Sequence, residues 1–476
     1  MEKSGFFRCL LLMALVVLLW TISPARAISK KECLKCHGEK GLTKTVKGEE
    51  VSLFVEGTSF KESVHGFFPC ADCHANVKEI PHKEVLSPVQ CKRCHGEEAE
   101  IFKDSVHGKA IRLGRAGAAS CKDCHGKHDI KKREEFTRLI CKRCHQGVYN
   151  VYTESIHGKD AIAGIRDVAT CHDCHGEHNI YKKNDPRSTV YHLNLPQTCA
   201  KCHANPELIK KYNIPVGNAY KLYMDSIHGR AITKSGLLVA ANCSDCHGSH
   251  EIKPHTDPKA KIYRGNIPST CGTCHAGVTA TFEESSHGLA FKKGNTQAPV
   301  CIDCHTAHQI QRIEVEAWRL DIVRECGTCH EEFLKTYRDT YHGQVTSLGF
   351  TQVARCSDCH GSHNIFPPTN PLSTLSRENK VITCRKCHPK ANVNFVKYDP
   401  HADPHNKEKN PALYYSYKFM HYLLIGVFAF FAPHTLLWLF RSLLEHKKLR
   451  GKRQPMESDN TEEDPRENHG GGGNGA

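Results

Sequence analysis

The 476-residue chain carries 27 cysteines and 34 histidines but only 39% hydrophobic residues, and its formal net charge is +14. Two or three ordinary domains would fit that length, yet the apolar content is concentrated near the two ends, which excludes a conventional aliphatic core in the middle. Cysteine in this quantity leaves disulfides, zinc or haem as the means of filling the interior.

Residues 1–27 read as a secretory signal peptide. Lys3 and Arg8 form a charged start, Cys9 to Ile22 is an apolar run of fourteen residues, and Ala25-Arg26-Ala27 is an A-x-A cleavage site. An uncleaved anchor is the competing reading, but fourteen residues is short for a bilayer span. Cleavage after Ala27 starts the mature chain at Ile28, removes Cys9 and leaves twenty-six cysteines.

All twenty-six fall in thirteen C-x-x-C-H blocks. In order, these are Cys33, Cys36 and His37; Cys70, Cys73 and His74; Cys91, Cys94 and His95; Cys121, Cys124 and His125; Cys141, Cys144 and His145. Then come Cys171, Cys174 and His175; Cys199, Cys202 and His203; Cys243, Cys246 and His247; Cys271, Cys274 and His275. The last are Cys301, Cys304 and His305; Cys326, Cys329 and His330; Cys356, Cys359 and His360; Cys384, Cys387 and His388. This is the attachment signature of c-type haem: two thiols add to the vinyl groups and the adjacent histidine is the proximal iron ligand. No cysteine remains for disulfides, and zinc knuckles do not require histidine at the next position each time.

The odd-numbered blocks are spaced 58, 50, 58, 72, 55 and 58 residues apart, and each interval holds one two-haem repeat. After the odd block comes an S-x-H-G-like element, which supplies His65, His107, His157, His228, His287 and His342. The even block is usually followed by another histidine three residues on, giving His128, His178, His250, His308 and His363, with His82 in that role in the first repeat. A final half repeat adds His401. These are thirteen candidate distal ligands for thirteen haems, and Met224 is the only methionine within the haem region, so uniform bis-histidine ligation at low potential is expected. His172, His192, His255 and His405 read as ordinary linker histidines, with His405 competing with His401.

A histidine three residues after a proximal ligand lies on the same side of that haem and cannot reach its far face, so it should serve a neighbouring haem. The S-x-H-G histidine is far enough along to close over its own haem or another. The module Cys141–His178 is expected to supply both of its own distal ligands, one of them shared forward or backward.

Removing residues 1–27 leaves a net charge of +12, and the seven basic and seven acidic residues from Arg441 onward cancel. The excess therefore lies in the haem region. Thirteen haems at about −1 each when ferric, with ionised propionates, nearly neutralise it. That argues against a nucleic-acid partner.

Between blocks, Gly147–Ile156 and Glu331–Thr340 read as short helices leading into ligand histidines, and Lys183–Arg187 and Pro367–Pro371 as loops, with no strands. The expected fold is a haem-cored multihaem cytochrome c, mostly irregular with short α-helices, built from two-haem repeats, plus one C-terminal transmembrane helix. It comprises residues 28–405 as a periplasmic thirteen-haem region, 406–446 as a juxtamembrane segment and membrane helix, and 447–476 as a basic then disordered cytoplasmic tail.

The span itself is Phe419–Phe440, without Asp, Glu, Lys or Arg, and long enough to cross a bilayer. Arg441, Lys447, Lys448, Arg450, Lys452 and Arg453 follow, which places the C-terminus in the cytoplasm. His421 and His434 lie inside the span. One reading has them ligating two b haems with helices of a partner subunit; the other has an interfacial His421 and a packing His434 beside Pro433.

The C-x-x-C-H, S-x-H-G and C-x-D-C-H-G-x-H motifs over about residues 33–446, with the C-terminal span, resemble the membrane-anchored multihaem c-type cytochromes of bacterial cytochrome b/c quinone-oxidoreductase complexes. The resemblance implies electron transfer between the membrane quinone pool, through a cytochrome b or quinone-reactive subunit, and periplasmic c-type cytochromes, at the inner membrane. The chain differs from the small quinol-dehydrogenase cytochromes, which carry their anchor at the N-terminus. The alternative is a multihaem reductase of nitrite, hydroxylamine or a sulfur oxyanion, which needs one open haem. Here all thirteen blocks end in histidine.

Overall fold

The computed structural model describes residues 28–46, 48–83, 86–132, 139–313 and 315–451. The expected signal segment and residues 452–476 of the tail lie outside them.

Helices of one to two turns dominate because the sequence interrupts them repeatedly. Within an even block the helix is a single turn, as in Cys121–His125, Cys171–His175, Cys243–His247, Cys301–His305 and Cys356–His360. The residue after it adopts positive φ: 86° at Gly126 and Gly176, 84° at Gly248 and Gly361, and 62° at Thr306. Only glycine takes that conformation without penalty, so Thr306 is the strained member of the set.

In five of the six repeats the S-x-H-G-like tetrapeptide is a corner between two helices; Ser63–Gly66 in the first is a turn. Gly96–Asp104 ends at Ser105, and Val106–Arg112 begins there. Ser105 Oγ accepts from Gly108 N at 3.1 Å, capping the second helix. Ser155, Ser226, Ser285 and Thr340 cap in the same way, with Gly158, Gly229, Gly288 and Gly343 as donors. The glycine is dictated by contact with the preceding helix: a Cβ on Gly158 would sit 1.9 Å from Tyr152 O. The expected short helices over 147–156 and 331–340 are present and end at these caps. Gln146–Thr153 and Glu331–Arg338 stop short, and His157 and His342 lie on the next helices, Ile156–Ile162 and Tyr341–Ser347. The physical reason is the cap, because the serine or threonine side chain replaces the helix-continuing bonds of the backbone.

The expectation of no strands also needs correcting. Thr43–Val46 pairs antiparallel with Glu49–Ser52, with Gly48 at φ 88° in the turn. Of the non-helical linkers, those beginning near Lys183 and Pro367 are tied down by one asparagine each. Asn194 Nδ2 donates to Pro186 O and Ser188 O, and Asn379 Nδ2 to Pro371 O and Ser373 O.

The chain divides into two units, the first running to Cys326 and including Cys356–Asn379, the second holding Gly327–Arg355 and everything from Lys380. The first unit has little aliphatic interior. Its most buried side chains are Val300 and a series of hydroxyls, among them Ser105, Ser155, Ser188, Ser226 and Ser285 at about 1% exposure. Large apolar side chains such as Val239 remain 79% exposed. The second unit carries the helix Pro411–Gly451, of 41 residues with Pro433 inside it, long and apolar enough to cross a membrane.

Candidate metal centres

Each even block is built by its own sequence. In the C-x-D-C-H blocks at Cys121, Cys171, Cys243 and Cys301 the aspartate between the cysteines is the third residue of the helix, and it accepts from the backbone at the helix start. Asp123 Oδ2 takes the Ser120 N–H at 2.7 Å and the Ser120 hydroxyl at 2.6 Å, and Asp173 does the same with Thr170. Asp245 and Asp303 accept from Asn242 N and Val300 N at 2.7 Å. The positive-φ residue then turns the chain so that the second histidine leaves its own block.

Where those histidines go is the central observation. His128 faces His74, His178 faces His125, His250 faces His175, His308 faces His247 and His363 faces His305, with ring centroids 5.7 to 6.2 Å apart. The S-x-H-G histidines face forward: His65 to His95, His107 to His145, His157 to His203, His228 to His275 and His342 to His388, at 5.9 to 6.2 Å. His37 and His82 make a pair at 5.9 Å within the first repeat. A metal bonded to two imidazoles at about 2 Å each sets their centroids roughly 6 Å apart, so the pairs fit an iron held between them.

The module Cys141–His178 is thus arranged differently from expectation. Its two distal candidates face His203 and His125, and neither faces His145 or His175. Backbone bonds enforce the exchange. Val64 N, Val106 N, Ile156 N and Ile227 N, each one residue before an S-x-H-G histidine, donate to Ile130 O, Ile180 O, Ile252 O and Ile310 O in the next repeat. Each acceptor lies two residues after that repeat's second histidine. Ser286 N donates to Ile365 O in the same way.

Burial pushes these imidazoles down in pKa, with the facing ring adding to the effect for most. His74, His125, His157, His175 and His228 are lowered, and His247 reaches about 4. The rings are therefore neutral at pH 7, the form that binds a metal. In the first pair, His37 Nδ1 lies 3.0 Å from Leu53 O, just beyond the β-hairpin, and His82 Nδ1 lies 2.7 Å from Lys83 O. Both bonds direct Nε2 at the opposite ring.

The thiols of the first cysteines in successive odd and even blocks touch: Cys33 and Cys70, Cys91 and Cys121, Cys141 and Cys171, Cys199 and Cys243, Cys271 and Cys301, Cys326 and Cys356. The shared hydrogen bond raises Cys141 and lowers Cys171 to about 7. Among the described residues no group of three or more His, Cys, Asp or Glu side chains converges to hold a metal.

The remaining candidates are placed as follows. His287 lies on the helix Ser286–Lys292 capped by Ser285, and His360 ends Cys356–His360. His330 precedes Glu331–Arg338, 6.2 Å from Phe333, whose ring is 5.1 Å from His401. His401 is half-buried, with Nδ1 3.1 Å from Thr336 Oγ1, whereas His405 is exposed and lies 4.7 Å from Tyr417 on the long helix. His192 has both ring nitrogens bonded, to Ala240 O and Asn242 Nδ2, and His172 sits against Thr170 and Asp173. His255 is exposed. His421 is stacked 5.9 Å from Tyr417. His434 is thirteen residues further on, about 140° around the helix. The structural roles of the serine, glycine and aspartate in the motifs were missed in the sequence reading, although their recurrence beside the histidines was the available signal.

Residues 64–146 match the cytochrome c3 family. That stretch holds four of the C-x-x-C-H blocks. A 63-residue segment is 33% identical to a probable fumarate reductase, Ifc3, of Shewanella frigidimarina; it covers 13% of this chain and 10% of that protein. No solved structure matches the chain. These findings support a multihaem c-type cytochrome. They fit covalently bound haem c and a role in electron transfer.

Proposed function

We propose that the chain passes electrons along thirteen bis-histidine c-type haems, between a membrane quinone or cytochrome b partner and periplasmic redox carriers. The observation that carries this reading is the series of facing imidazoles, each pair drawn from one proximal and one distal candidate. Haem c bound between them supplies a one-electron iron couple, at low potential with histidine on both faces. The protein's residues do the rest: the two cysteines of each block would fix the macrocycle, and in the eleven facing pairs the two histidines would hold one iron between them and leave it no site for a substrate. Contact between the first cysteines of neighbouring blocks supports closely spaced attachment points.

In this reading Pro411–Gly451 is the inner-membrane anchor. The basic cluster after Arg441 faces the cytoplasm and the haem region faces the periplasm. Tyr417 and His421 lie at the interface, and His434 packs within the membrane. In the competing arrangement the two histidines ligate two b haems with helices of a partner subunit. A pyridine haemochrome assay of the purified complex separates the two: c-type haem alone fits the packing roles, and b-type haem overturns them.

The match to a probable fumarate reductase favours a second reading, in which a multihaem segment serves or forms a reductase. That activity would need an iron with an open position. Carbon monoxide added to the reduced full-length protein separates the two. The conductor reading expects no change in the haem spectrum, and binding near one equivalent overturns it.

A further inference from the structure

The facing imidazoles fall into two groups by the angle between their planes. Where an S-x-H-G histidine is the partner, the rings are tilted, from 36° for His228–His275 to 68° for His157–His203. Where the partner follows an even block, or is His82, they are nearer parallel, from 2° for His37–His82 to 30° for His74–His128. The two ranges do not overlap.

Local structure accounts for the division. His107, His157, His228 and His342 stand near the start of a helix whose backbone is fixed by the buried cap and by the glycine contact, so the helix direction dictates their ring planes, whereas His65 is held in a turn. The histidines after the even blocks stand in non-helical segments, all but His82 beyond a positive-φ residue, and are free of that constraint. The most parallel pair is also held by two Nδ1 bonds to backbone carbonyls, at 3.0 and 2.7 Å.

Ring angle matters to a low-spin ferric iron. Each imidazole has a filled π orbital that raises the iron d orbital aligned with it. Parallel rings raise the same orbital, split the pair and stabilise the single hole of the ferric state. Tilted rings raise both orbitals more equally and forgo that stabilisation. Parallel sites therefore have lower potentials and rhombic spectra; tilted sites have higher potentials and highly anisotropic spectra.

We infer, resting on the bis-histidine reading, that the chain holds two classes of haem iron sorted by the element that supplies the distal histidine. The tilted, higher-potential class is at the odd blocks from Cys91 to Cys271 and at Cys384. The near-parallel, lower-potential class is at Cys33 and at the even blocks from Cys70 to Cys301. Over those blocks the two classes alternate along the sequence after the first repeat, so potentials rise and fall from block to block rather than descending steadily.

The test is low-temperature electron paramagnetic resonance of the full-length holoprotein in detergent, poised over a range of potentials. Rhombic and highly anisotropic low-spin signals should appear at comparable integrated intensity, with the anisotropic set disappearing first as the potential is lowered. His157→Met should remove about one haem's intensity from the anisotropic set, and His178→Met about one from the rhombic set. Low-spin signals of a single type, the reverse order of reduction, or loss from the wrong set overturns the two classes while leaving bis-histidine ligation standing. A stoichiometric high-spin signal overturns the bis-histidine reading, and this inference with it.

Discussion

His178 Nε2 lies 3.5 Å from His125 Nε2, although 53 residues separate them and each belongs to a different repeat. Two ring nitrogens this close share at most one proton, and both rings are turned to present the atom that binds a metal. The consequence is local to one partner. Replacing His178 with methionine should alter the axial ligation of the haem on Cys121 and Cys124 and leave the haem on Cys171 and Cys174 unchanged. An electron cryomicroscopy map of the variant checks this by showing which iron changes ligand.

The corner glycines give a paired prediction. Gly158→Ala places a Cβ 1.9 Å from Tyr152 O, so the two helices must separate and His157 must shift with them. A cost of about 1–3 kcal/mol is expected, in the range of other overpacking substitutions. Gly147→Ala, at the second residue of the helix Gln146–Thr153, meets nothing within 4 Å and should instead stabilise its helix by a few tenths of the roughly 1 kcal/mol a mid-helix glycine costs. Thermal unfolding followed at the Soret band should move in opposite directions for the two variants.

Thr306 stands with φ 62° and ψ 178° where the corresponding residues are glycine. Its side chain is exposed, so little packing is lost by removing it. Thr306→Gly should relieve about 1–3 kcal/mol of backbone strain, less the extra freedom glycine gains in the unfolded chain. A raised unfolding midpoint is the expected result.

Asp185 offers a pH-dependent case away from the haem ligands. Hydrogen bonds from the Arg187 side chain and backbone hold its carboxyl down to about 2. Arg187 also bonds Asp104 at 3.2 Å and lies over the Tyr181 ring at 4.3 Å. A depressed carboxylate stabilises the fold above its unfolded pKa, and the contribution fades as pH falls from there through about 2. Asp185→Asn should therefore lower stability at neutral pH by a small, salt-sensitive amount, and the gap from the parent should close at pH 2. Unfolding curves at the two pH values measure it.

Much of the site was legible from the chain alone because haem attachment is a local event. Two thiols and a histidine within five residues mark a candidate haem-attachment block, so the block count and the candidate proximal and distal histidines are all read from spacing. The long helix was equally plain, since a membrane span is a property of one continuous apolar stretch. Spacing does not separate His401 from His405; in the structure His401 is half-buried beside Thr336 and His405 lies against Tyr417.

The exchange of histidines between repeats was decided only in three dimensions. Spacing showed that His178 could not reach round its own block, but not that His157 passes over His145 to face His203. That pairing is accompanied by a backbone bond from Ile156 to Ile252, between segments 96 residues apart whose contact no local motif specifies. The ring angles were likewise beyond the sequence. They depend on how a capped helix start and a positive-φ turn orient two side chains that meet from different repeats, and motif identity alone does not encode that orientation.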